Sequence, residues 1–122
     1  MREIKFRGLG VDGKWWFGES NPSGENHINL ATFFANIHAG AIRPETVGEW
    51  TGLRDKNGRE IWEGDIVHTF SRVGRGFRDR GVDKVHYSDI TARWYPLDIV
   101  VTEMCEVIGD IYSNPELIKE VK

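Results

Sequence analysis

Tight-turn signals constrain this chain more than any other feature. Asp12-Gly13, Asp55-Lys56-Asn57-Gly58 and Glu63-Gly64-Asp65 interrupt short runs of alternating or β-branched residues. Asn-Gly and Asp-Gly let the backbone visit positive φ at low cost, which is what closes a two-stranded turn. Strand-like runs between turns spaced roughly eight to twelve residues apart point to an antiparallel β architecture. The predicted class is mainly β: a small antiparallel, partly open SH3-like barrel or sandwich. It should have about six to eight short strands with one or two short helices. A length of 122 residues suits a single domain over 1–122.

Residues 2–7 place Ile4 and Phe6 on one face, and Lys14-Trp15-Trp16-Phe17 follows the Asp12-Gly13 turn, so 2–19 reads as a hairpin. Asn21-Pro22-Ser23-Gly24 is a loop. A short strand at 27–30 and a short helix at 31–38 follow. Further strands are expected at 45–51, 59–62, 66–70, 82–87, 91–95, 97–102 and 104–112. Pro115 opens a final helical turn whose apolar side is Leu117, Ile118 and Val121. Ile4, Phe6, Trp15, Val47, Ile61, Ile66, Val107 and Ile111 are the expected core. Residues 71–81 hold three glycines and four arginines with no convincing period, and read as an exposed loop.

Most chemistry can be set aside on spacing. His27, His38, His68 and His86 stand 11, 30 and 18 residues apart, and no close ligand pair exists, so no metal site is expected. The lone Cys105 lies in an alternating strand and reads as an inert, buried thiol. Gly8-Leu9-Gly10-Val11-Asp12-Gly13 has the spacing of a dinucleotide loop. A strand follows it where that motif needs a helix N-terminus, so it reads as a hairpin turn. Glu60, Glu63 and Asp65 flank a turn and are better explained by it than by acid–base work. Thr51, Asp55 and Asn57 read as turn-makers. No catalytic constellation and no cofactor are expected. One cysteine and a charged N-terminus fit a cytoplasmic protein without a membrane span.

Charge is what marks a surface. The net charge is −3, yet Arg72, Arg75, Arg78, Arg80 and Lys84 against Asp79 and Asp83 give residues 72–84 a charge of +3. Residues 98–122 carry six acids and two lysines, or −4. Phe70 and Phe77 interleave with the arginines. Phe70, Arg72, Arg75, Phe77, Arg78, Arg80 and Lys84 are therefore the candidate interaction residues. Arginine grips phosphates and phenylalanine stacks on unpaired bases; equally, the arginines could face carboxylates of a second copy.

Three blocks carry a resemblance. They are Arg2 to Gly8 with Gly13-Lys14-Trp15 behind it, the long run from Pro44 to Val67, and Cys105 to Leu117. In order and spacing they resemble the YopX family of bacteriophage and prophage proteins, whose molecular function is unknown. The resemblance implies a small, mostly β protein of a phage-infected or lysogenic bacterium, and no catalytic residues. The leading expectation is a non-enzymatic protein-interaction or self-assembly module, with a homo-oligomer as its form. The alternative is a nucleic-acid-binding accessory factor acting through residues 70–84.

Overall fold

The computed structural model describes residues 3–118. It is mainly β, as expected, with antiparallel pairing dominant; the described residues form ten strands, more than the six to eight expected, with one α-helix and three short 3₁₀ turns. No sheet closes on itself as a barrel. The chain forms two compact units, one ending at Gly52 and the other beginning at Leu53.

In the first unit, β1 (Lys5–Leu9) and β2 (Trp15–Glu19) form the expected hairpin, Lys5 opposite Glu19 and Leu9 opposite Trp15. β3 (His27–Asn29) lies parallel to β2, and β4 (Gly48–Arg54) pairs with β1 at its start. Helix α1 (Leu30–His38) begins where Asn29 Oδ1 accepts from the Thr32 N–H at 2.8 Å. Its Phe33 is fully buried. Gly8 and Gly18 make that possible: a Cβ at Gly18 would stand 2.6 Å from the Phe33 ring, and one at Gly8 would stand 2.5 Å from Ile42. In the Gly8-to-Gly13 run, Gly8 and Leu9 end β1 and the residues from Gly10 make the hairpin turn. Gly13 donates to Gly10 O, Lys14 N–H donates to Asp12 Oδ1, and β2 follows.

In the second unit, β5 (Glu60–Trp62) leaves the Asp55–Gly58 turn. β6 (Asp65–Val73) is the central strand of a three-stranded antiparallel sheet, between β10 (Cys105–Asp110) and β7 (Gly76–Lys84). β8 (His86–Ser88) and β9 (Arg93–Tyr95) form a separate two-stranded sheet. Ile61, Val67, Val85, Cys105 and Val107 pack as the core, with Trp94 and Leu97 against it.

Several expectations need correction. Residues 71–81 are not a loop: β6 and β7 pair from Ile66↔Lys84 to Val73↔Gly76. Residues 97–102 are not a strand. Asp98 N–H donates to Trp94 O and Ile99 N–H to Pro96 O, so these donors close turns rather than a ladder. Of the expected core, Ile61, Ile66 and Val107 are buried; Phe6, Trp15, Val47 and Ile111 are half-buried, and Ile4 is 50% exposed. Ile4 precedes β1, so the alternation that placed it on a buried face has not yet begun. The final helical turn is a 3₁₀ turn, Pro115–Leu117. Val121 lies outside the described residues.

Candidate functional site: a basic β-hairpin arm

Asp55, Asp65 and Asp110 serve the backbone. Asp55 Oδ1 accepts from the N–H groups of Asn57 and Arg59, both at 2.9 Å, and Oδ2 accepts from Val107 N–H at 2.9 Å. Burial opposes its ionisation, but the three N–H groups prevail and hold the carboxyl below the usual value. Asp65 is buried and accepts from the Trp62 N–H at 2.7 Å. Asp110 Oδ1 accepts from the N–H groups of Tyr112 and Ser113. Glu60 lies 3.5 Å from Arg54. Spacing alone marked Asp55 as a turn residue. Its bond to Val107, 52 residues away, has no local signal.

The histidines are separated in the same way. His27 lies 2.7 Å from Glu19 and stacks on Phe17, while His68 lies 2.8 Å from Asp79. Among the described residues no three His, Cys, Asp or Glu side chains gather as metal ligands. Cys105 is buried, and burial followed by the charges of Asp55 and Asp65 pushes its thiol up to about 12.

The arm formed by β6 and β7 holds all seven residues singled out by charge. It turns at Gly74-Arg75, where Gly74 has φ +59° and Arg75 does not have positive φ, the pattern of a type II′ hairpin. Nearer the core, Phe70 faces Asp79 while Thr69 faces Gly81. Arg80 is thus the extra residue of a β-bulge, with Gly81 at φ +97°. Arg72 lies opposite Phe77, its guanidinium 5.3 Å from the ring centroid, and Phe77 is 61% exposed. Phe70 packs on His68 at 4.4 Å and is half-buried. Arg75 caps the tip, Arg78 and Arg80 are exposed on β7, and Lys84 ends it opposite Ile66.

The charge on this ribbon is free to meet a ligand. The ring of His68, then the Gly81 N–H, hold the Asp79 carboxyl below its ordinary value, so Asp79 is engaged within the arm. No described carboxylate lies within salt-bridge distance of Arg72, Arg75, Arg78 or Arg80. The arm's hairpin character had one sequence signal, the Gly-X pair between Val73 and Gly76. Alternation is absent because beyond the bulge neither face is buried.

A solved structure shares this fold. The crystal structure of protein EF1440 from Enterococcus faecalis superposes with a TM-score of 0.57 at 23% identity, covering 98% of this chain and 100% of that one. No curated protein matches the chain. The sequence profile described as YopX protein matches residues 5–119. That span runs from the start of β1 through the rest of the three blocks, the pinned carboxylates and the whole arm, so the chain belongs to the YopX family.

Proposed function

We propose that this protein is a non-enzymatic binding module whose arm grips nucleic acid through its phosphates. The observation that carries this reading is the exposed two-stranded ribbon whose four arginines have no carboxylate partner among the described residues. Guanidinium groups bind phosphate oxygens in a bidentate way, and a two-stranded ribbon is narrow enough to lie against a nucleic-acid backbone. The rest of the molecule is acidic, which confines attraction to the arm. The YopX resemblance supports a setting in the cytoplasm of a phage-infected or lysogenic bacterium. Among the described residues no helix is long and apolar enough to cross a membrane.

The test is fluorescence anisotropy of labelled single- and double-stranded oligonucleotides over graded salt. Four released counterions on a single strand give a log–log slope of about −3. Changing Arg72, Arg75, Arg78 and Arg80 together to Ser should flatten that slope and weaken binding to every sequence alike. Equal binding by parent and variant would remove the arm from the function.

A second reading, self-assembly, is favoured by the apolar residues the arm exposes: Val73 is 50% and Phe77 61% accessible. In that case Phe77 is covered by a second copy, with the arginines facing its carboxylates.

A further inference from the structure

Beside the arm lies a recess of about 330 Å³ lined by Lys56, Phe70, Phe77, Glu103 and Met104. Its volume is at the lower end of small-ligand sites, which run to roughly 300–1,000 Å³. Two aromatic rings and a thioether supply flat, polarisable surface. Phe77 keeps 61% of its surface open although Arg72 approaches its ring. Lys56 brings a cation to the rim, 5.8 Å from the centroid of Phe70 and 3.9 Å from Glu106. Glu103 is different in kind. It is exposed, begins no ladder, and makes no hydrogen bond or ion pair with a described residue.

We infer that this recess takes one unpaired nucleobase carrying an exocyclic amino group, stacked on Phe77, with Glu103 accepting from the amino N–H. This rests on the reading of the arm as a phosphate-binding ribbon, and it names the form of nucleic acid as single-stranded. A carboxylate on the wall of this recess repels phosphate, so it selects the part of a nucleotide that donates hydrogen bonds. Aromatic stacking is tolerant of base identity, whereas a carboxylate is not: it accepts from the amino groups of cytosine, adenine or guanine. Thymine offers one N–H flanked by two carbonyls, which the carboxylate repels.

The experiment measures anisotropy of three labelled strands of equal length at one low salt concentration: oligo(dC), oligo(dT) and an abasic strand. Oligo(dC) should bind about tenfold more tightly than the abasic strand, with oligo(dT) between them. Phe77→Ala should bring all three to the abasic affinity. Glu103→Gln should abolish the preference for oligo(dC) over oligo(dT) while keeping both above the abasic strand. Both positions are exposed, so neither change threatens folding. An abasic strand that binds as tightly as oligo(dC) overturns the base site and leaves the phosphate reading standing. If none of the three strands binds, both fall together.

Discussion

Asp55 accepts a hydrogen bond from the backbone N–H of Val107 at 2.9 Å, so a carboxylate of a β-turn holds a strand 52 residues further along the chain. The same side chain closes its own turn through Asn57 and Arg59. Hydrogen bonds to a charged group contribute about 1.5–3 kcal/mol each, and orphaned buried donors add their desolvation cost. Asp55→Ala should therefore destabilise the protein by about 3–5 kcal/mol. Urea unfolding of parent and variant measures this, and a loss below about 1 kcal/mol would show the pin to be decorative.

Asp55 also sets an acid dependence. Its folded-state pKa lies below the ordinary 3.8, so ionisation favours the folded state. The stabilisation is complete above the unfolded-state pKa and is lost as pH falls through the depressed folded value. Stability should be level above about pH 5 and decline below it. Asp55→Asn should start lower and lose part of that decline. Parallel acid slopes in thermal melts of the two proteins would contradict it.

Gly58 closes the same turn at φ +81°, with its N–H donating to Asp55 O at 2.9 Å and open space where a Cβ would stand. Since no atom is in the way, Gly58→Ala should cost about 1 kcal/mol through backbone conformation alone. Denaturant midpoints decide this.

Cys105 is fully buried, and its thiol is pushed up to about 12. The thiolate is the reactive form, so alkylation at neutral pH should be negligible in the folded protein and rapid in urea. Fast labelling without denaturant would mean that β10 opens readily.

If self-assembly is the arm's role, light scattering should show an oligomer that weakens between low salt and about 1 M salt. A stable interface would bury roughly 1,200–2,000 Å² in total. The variant with all four arginines changed to Ser should shift toward monomer. A monomer under every condition would end this reading.

What the sequence reveals follows where faces are buried. The hairpin of β1 and β2, the strand-then-helix passage at His27 to His38 and the Asp55–Gly58 turn were legible from period and turn chemistry. Ile61, Ile66 and Val107 were legible as core for the same reason. Phe33 and Ile42 were not, because their burial depends on bare glycine backbone at Gly8 and Gly18, which sequence shows only as punctuation. Nor was the arm, whose outer strand has no buried face to impose alternation. Its residues were found through charge, which needs no partner in the core.

That arm is fastened by its inner half alone. Ile66, Val67 and Thr69 lie buried on β6, whereas from Arg72 to Arg80 every side chain is exposed. Changes along this outer stretch sit where substitutions usually alter stability by no more than about 0.5 kcal/mol. Evolution can therefore rewrite the arm's chemistry without endangering the body that carries it. Ligand preference and foldedness become separate inheritances within one chain.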